Sequence, residues 1–343
     1  MESQNQLSKI FTIHVTDQIN TVGGYNFIKR STSKPKIIGE DVLDTLFDKI
    51  KKYNLSKVGF VLVGCEPVFD AYHFLFDFVR REQELGISTS HTIITNGTIL
   101  EDKVINFLGE KKFGIGLSFD GPKEIHDKLR EILNGTGTYE EFVEAKNKLE
   151  KTGYPWGVIT IVTPLHLGHE RELYESYKRN SVRIVKLNPL FADLDTCYGG
   201  KLHHLTADEI FDFYKNIYEL FKSDSEPVRI TEMVDFIKIA IGRPGPMSCL
   251  YTKTCTNDWL TITPNGDVYY CARFVGQGLK LGNIFKNSFD ELYANKHKLV
   301  NYKKMLGCPF EAFAQTRTFD ADKAQATIAY KRIINYIKAD IMQ

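Results

Sequence analysis

The sequence is poor in the features that mark several protein classes. Six cysteines in 343 residues are too few for a disulfide-stapled scaffold of this length. Charge of one sign is not in excess: 44 Lys and Arg against 43 Asp and Glu leave a formal net charge of +1. No electrostatic footprint for nucleic acid or an anionic membrane surface follows from that balance. No run approaches the roughly 18 apolar residues that span a bilayer. The N-terminal stretch Met1–Val15 lacks a basic region followed by an apolar run and does not read as a signal peptide. A cytoplasmic location is therefore expected, with no nucleic-acid partner and no membrane partner.

What is present is ordinary for a globular chain, 43% hydrophobic and 25% charged. The length allows one barrel-sized domain of about 200–250 residues and a smaller module. Short apolar runs at Ile10–Thr16, Val58–Val63, Thr92–Thr95, Gly114–Phe119, Gly157–Val162 and Val182–Leu187 alternate with amphipathic stretches near 40–53, 69–85, 99–110, 138–152 and 167–179. That β-α-β-α order predicts a parallel sheet with helices packed outside it. About six such units suit a partial (β/α)6 TIM-like barrel better than a complete one, although an open doubly wound sheet would give the same pattern. In either architecture the chemistry belongs at the C-terminal strand ends.

A further helix is expected over 206–223, with Thr206 as its N-cap and an acidic first turn. His203 and His204 just before it read as solvent-exposed. The break Gly242-Arg-Pro-Gly-Pro246 marks a boundary, dividing the chain into residues 1–240 and 241–343. The second part holds Cys249, Cys255, Cys271 and Cys308. In a reducing compartment such clustering points to metal more than to disulfides. Residues 259–271, WLTITPNGDVYYC, read as a hairpin turning at Asn265-Gly266, and 321–340 as a closing helix.

The strand-end segments carry a specific pattern. They are Gly64-Cys-Glu-Pro67, Thr95-Asn-Gly97 and Ser118-Phe-Asp-Gly121, the last continuing through His126 and Arg130 to Gly137-Thr-Tyr139. Cys255-x10-Gly266-x4-Cys271 and Leu281-Gly-Asn-Ile-Phe285 with Ser288-Phe-Asp-Glu-Leu-Tyr293 follow in order. Collinear over roughly residues 10 to 318, these segments resemble radical S-adenosylmethionine (SAM) enzymes with a C-terminal SPASM or Twitch-like domain. Within them the chain is similar to the peptide-modifying branch that includes anaerobic sulfatase-maturating enzymes.

The resemblance implies a radical SAM barrel in which the loop of Gly64 holds the SAM ammonium group, while Glu66, Ser118 and Arg130 surround the methionine moiety. An arginine there suits a carboxylate because its fork binds bidentately. In the family the first strand ends in Cys-x3-Cys-x2-Cys, whose thiolates hold a [4Fe-4S] cluster that in turn anchors SAM. Here the segment is Thr16-Asp-Gln-Ile19-Asn20-Thr-Val-Gly23-Gly-Tyr25-Asn26, with Asn20 and Tyr25 falling where the family has Asn and an aromatic. The ligand positions hold Ile19, Gly23 and Asn26, and no cysteine occurs in the first 60 residues. Isoleucine and glycine offer no donor atom, and an amide oxygen is a poor ligand where soft thiolate is required. No radical SAM cluster is therefore expected, and SAM binding becomes doubtful because the ligand loses its coordination bonds to iron. Cys65, where the family has glycine, should crowd the SAM loop. It reads either as a small buried core residue or as a reactive thiol.

In the second part the resemblance places Cys249, Cys255 and Cys271 as SPASM ligands. The family's later run Cys-x2-Cys-x5-Cys-x3-Cys is represented by Met305, Cys308, Ala314 and Thr318, so a second auxiliary cluster cannot be built. Four cysteines are enough for one closed site, so Cys249, Cys255, Cys271 and Cys308 are the candidate ligands of one [4Fe-4S] cluster or one Zn²⁺. The Asp that sulfatase-maturating relatives carry beside the cysteine equivalent to Cys271 is Ala272 here. The expected function is that of a catalytically degenerate member, a pseudoenzyme, that binds a precursor peptide or an active maturase partner. The alternatives are a true radical SAM peptide maturase, were the cysteine loss artificial, or other, non-radical chemistry in the barrel cavity.

Overall fold

The computed structural model describes residues 8–18, 20–23, 36–68, 72–132, 135–195, 201–243, 254–275, 279–299 and 308–343. One ten-stranded sheet organises them. Its strands are β1 (Ser8–His14), β2 (Lys57–Val63), β3 (Ser88–Thr95), β4 (Gly114–Ser118), β5 (Trp156–Val162), β6 (Ile184–Pro189), β7 (Arg229–Ile230), β8 (Trp259–Ile262), β9 (Asp267–Tyr269) and β10 (Lys280–Asn283). The spatial order is β7-β6-β5-β4-β3-β2-β1-β8-β9-β10, and the pairs from β7 through to β8 are all parallel. Strands β1 to β7 thus neighbour one another in chain order. A doubly wound sheet would reverse its winding at a switch point, so the order decides for barrel-type winding. The six expected strands are all present, and β7 and β8 extend the parallel run at its two edges.

The helices cover the sheet as their periodicity predicts: α1 (Glu40–Lys52), α2 (Tyr72–Glu84), α3 (Asp102–Glu110), α5 (Tyr139–Thr152) and α6 (Glu170–Arg179), with a short α4 (Lys123–Leu129) between β4 and α5. Alternate residues of β2 are buried, which points Val58, Phe60 and Leu62 at the helix layer or barrel core. Phe60 stacks on Phe47 of α1 at 5.6 Å and meets Phe78 of α2 edge-on at 5.0 Å, geometries that add to simple burial. Helix α7 (Ala207–Ser223) opens with a capping box in which Thr206 and Glu209 serve each other's backbone N–H. His203 and His204 lie just before it on Asp193.

Helix α8 (Thr231–Ala240) follows β7 and finishes the sheet edge. Glu232, fully buried, accepts the Leu187 N–H at 2.9 Å beyond the point where β7 stops pairing. The second part of the chain is fused to the first through β8, which pairs with β1 from Ile10↔Trp259 to Ile13↔Ile262. Its helices are α9 (Thr254–Asp258), α10 (Phe289–Leu299), α11 (Pro309–Thr316) and α12 (Gln325–Ile341). The expected closing helix is α12, and it packs on α7 and α8. The hairpin expected at Asn265-Gly266 forms. Thr263 accepts the Gly266 N–H at 2.8 Å, and Gly266 alone takes positive φ, +72°. That is a type I turn closed by a glycine bulge.

Candidate functional site

The motif segments meet at the C-terminal ends of β1 to β6. Gly64, after β2, has φ +156° and passes so close to the end of β1 that a Cβ would stand 2.8 Å from the Thr16 carbonyl oxygen. Only glycine fits there. The same carbonyl accepts the Cys65 N–H at 3.1 Å. Glu66 then turns fully inward. Its Oε1 accepts from the Thr95 hydroxyl at 2.6 Å and the Val68 N–H at 3.4 Å, and its Oε2 from the Asn96 N–H at 2.8 Å. Burial outweighs these donors and the charge of Arg130, pushing the carboxyl up to about 7. Glu66 therefore ties the end of β2 to the end of β3. Burial first, then Asp17 and Glu66, push the Cys65 thiol up to about 12. That environment favours the thiol over the thiolate.

Asn96 continues the lattice toward the loop after β1. Its Nδ2 donates to Asn20 Oδ1 at 3.0 Å, its Oδ1 accepts from the Thr98 N–H and hydroxyl, and Asn20 Nδ2 donates back to Thr98 Oγ1 at 2.7 Å. Sequence reading placed Asn20 by resemblance and gave no role to Asn96 or Thr98. Gly23 lies in a short ribbon, Thr21–Gly23, paired with Arg130–Ile132, with Gly23 opposite Arg130. Ile19, Tyr25 and Asn26 lie outside the described residues. Gly23 is the described one of the three cluster-ligand positions, and it brings no donor atom.

Ser118 ends β4 half-buried. Two residues on, Asp120 is the hub of the far side of the mouth. Fully buried, it takes Arg130 Nε on Oδ2 at 2.6 Å and the Ile161 N–H on Oδ1 at 2.9 Å. Its own N–H donates to His126 Nδ1 at 3.1 Å, and its carbonyl meets His166 Nε2 at 3.1 Å. His126, held low at about 4 by burial, stays neutral and can accept. The Ser-Phe-Asp-Gly segment thus fixes Arg130 through Asp120, a partnership that spacing in the sequence does not reveal. Gly64, Glu66, Ser118 and Arg130 do gather at one end of the barrel. Glu66 and the Nε edge of Arg130 are engaged by the protein's own groups.

The cysteine module joins the mouth from the side of β6. Cys271 follows β9, and Cys255 lies in α9 on the other arm of the hairpin. Burial first, with Cys255 adding and Arg273 opposing, pushes the Cys271 thiol up to about 11. Cys308 caps α11, and Arg273 Nη1 lies 4.0 Å from its Sγ. The same guanidinium donates to Asn188 Oδ1 at 3.2 Å and stacks on Phe191 at 4.4 Å, so it bolts the module to the end of β6. Behind the cysteines, Lys296 of α10 is fully buried, its Nζ donating to the carbonyls of Cys255 at 2.6 Å, Tyr270 at 3.1 Å and Trp259. Cys249 lies outside the described residues. Among the described residues no three His, Cys, Asp or Glu side chains converge as a metal site. The donors present are soft thiols, which suit Zn²⁺ or an iron–sulfur cluster. Among the described residues no helix is long and apolar enough to cross a membrane.

Comparisons with known proteins bear on the family and the fold. The Radical SAM superfamily pattern matches residues 22–177, and the SPASM iron-sulfur cluster-binding domain matches residues 249–318. The chain is 26% identical over 276 residues to a cysteine-type anaerobic sulfatase-maturating enzyme of Clostridium perfringens, covering 77% of this chain and 72% of the relative. With the corresponding enzyme of Clostridium novyi it shares 26% over 259 residues, 74% of this chain and 69% of the relative. Among solved structures, native anSMEcpe with bound AdoMet superposes with a TM-score of 0.81 at 22% identity, covering 97% of this chain and 98% of that one. Streptococcus suis SuiB bound to precursor peptide SuiA gives 0.67 at 14% identity, over 93% and 76% of the two chains. At these identities the structural likenesses speak to the fold.

Proposed function

This chain belongs to the radical SAM superfamily and carries a SPASM domain, and from that premise we propose that it recognises a peptide, or an active maturase partner, without generating radicals itself. One observation carries the proposal: Ile19, Gly23 and Asn26 stand where the family's three cluster thiolates belong. With no thiolate donors the radical cluster has nothing to hold it, and no electron source remains for reductive SAM cleavage. Ala272 in place of the maturase Asp points the same way. The reading of Gly64, Glu66, Ser118 and Arg130 as SAM-facing residues stays part of the proposal, with SAM held weakly because its iron anchor is lost. Cys249, Cys255, Cys271 and Cys308 would hold one [4Fe-4S] cluster or one Zn²⁺.

The peptide reading draws on relatives named for maturing sulfatases and on the peptide-bound SuiB fold. In this reading residues 1–240 form the recognition barrel and 241–343 the module, and the protein works in the cytoplasm. The barrel keeps its lattice of Glu66, Asn96, Asp120 and Arg130 because that lattice shapes the mouth, a role that needs no radical.

The test is anaerobic purification followed by SAM and a strong reductant. Methionine release should not exceed the protein-free blank, and pulldown with precursor peptides and partner maturases should capture one of them. Reductive SAM cleavage by the pure chain, or unchanged peptide modification after deletion of the protein, would overturn the proposal.

A further inference from the structure

Lys296 is out of place for a structural lysine. It is fully buried on α10, with its side chain beneath the cysteine-bearing hairpin. All three of its N–H groups are spent on carbonyls of Cys255, Trp259 and Tyr270, and the ammonium lies 4.1 Å from the centre of the Tyr270 ring. Those carbonyls belong to the two segments that carry Cys255 and Cys271, since Tyr270 directly precedes Cys271 and Trp259 begins β8. Carbonyls and an aromatic face are neutral. Buried charges are ordinarily paired with opposite charge or held at metal centres. Among the described residues no carboxylate forms an ion pair with Lys296, and residues 244–253, 276–278 and 300–307 of the module contain no Asp or Glu. The nearby Asp258 has its own cation, Lys9 at 3.2 Å.

We propose that Lys296 is a positioning residue for a thiolate-held metal centre, tying the Cys255 and Cys271 segments together and supplying the positive charge that such a centre needs. A divalent ion or an iron–sulfur cluster closed by thiolates carries net negative charge, and a buried ammonium behind the ligands offsets it without taking a coordination position. The inference rests on the reading of the cysteine module as a metal site.

The test compares wild type with Lys296→Met, Lys296→Gln and Lys296→Arg, each purified anaerobically and loaded with zinc or with iron and sulfide. Chelator competition should show Lys296→Met and Lys296→Gln binding metal ~10–100-fold more weakly, the cost typical of losing an outer-shell partner, with Lys296→Arg restoring most of the affinity. For the iron form, loss of the charge should also move the midpoint potential downward, which a purely structural lysine would not do. If Lys296→Met fails to fold, Lys296→Gln, which keeps N–H donors without charge, decides the matter. Loaded wild type with equal affinity and potential in a folded uncharged variant overturns the role of Lys296 alone. A wild-type protein that takes up no metal overturns the metal reading and this role with it.

Discussion

Glu66 is a carboxyl group whose environment favours its neutral form. Its ordinary value near 4.5 rises to about 7 on burial, so between those values the folded protein holds a proton that the unfolded chain has released. Its contribution to stability is therefore present below about pH 4.5 and is lost as pH climbs through about 7. Glu311, raised to about 7 by burial as well, acts in the same direction. Unfolding free energy should fall between about pH 4.5 and about pH 7, by on the order of 3 kcal/mol for Glu66. Glu66→Gln should flatten that slope, and urea titrations across the range would measure it. A variant curve parallel to wild type would refute the assignment. Asp120 is the buried ion-pair partner of Arg130. Asp120→Ala should cost ~3–5 kcal/mol by leaving that cation without its buried counter-charge. Asp120→Ala with Arg130→Ala should cost less than the sum of the two.

At the scale of elements, the informative contacts are those that fix where one segment meets another. The β8–β9 turn depends on Gly266, whose φ of +72° and position 2.7 Å from the Phe285 ring, measured from an added Cβ, leave no room for a side chain. Gly266→Ala should destabilise the protein by ~1–3 kcal/mol, seen as a lower unfolding midpoint in urea. Arg273 joins the three-residue helix after Cys271 to Asn188, Phe191 and Cys308. Arg273→Ala should leave the Asn188 side chain short of a donor and cost about 1–3 kcal/mol. The loss should appear as faster proteolysis within 241–343 than within the barrel. Equal protection of both parts would count against the bolt.

For the molecule as a whole, the parallel sheet and the module are one continuous sheet joined at β1 and β8. Metal bound in the module, as proposed above, would therefore stabilise the native state of the whole chain by mass action. Stripping it with a chelator should lower the melting temperature in a concentration-dependent way, and re-addition should restore it. A melting temperature indifferent to chelator in metal-containing protein would place the ion outside the fold.

Much of this was legible in the chain. The six strands and the flanking helices followed from alternation of apolar runs, because each βα unit must bury one face locally. Gly64, Glu66, Ser118 and Arg130 could be named because the segments that carry them resemble radical SAM motifs in order and spacing. The turn at Asn265-Gly266 was located but its type was not, since the sequence does not state whether Asn265 shares the positive φ. Other relations were out of reach for a reason of distance. Asp120 with Arg130, Glu66 with Thr95, Arg273 with Asn188, and Lys296 with the carbonyls beside Cys255 and Cys271 are pairings that local pattern does not encode. By itself the sequence determined the order of the expected strands and helices, the positions of the cysteines and the absence of cysteine from the first 60 residues, all of which are matters of residue type and spacing. Only the tertiary structure decided the barrel winding, the fusion of the module through β8 and the lysine placed behind its cysteines, because burial and partnership exist only once distant segments have packed.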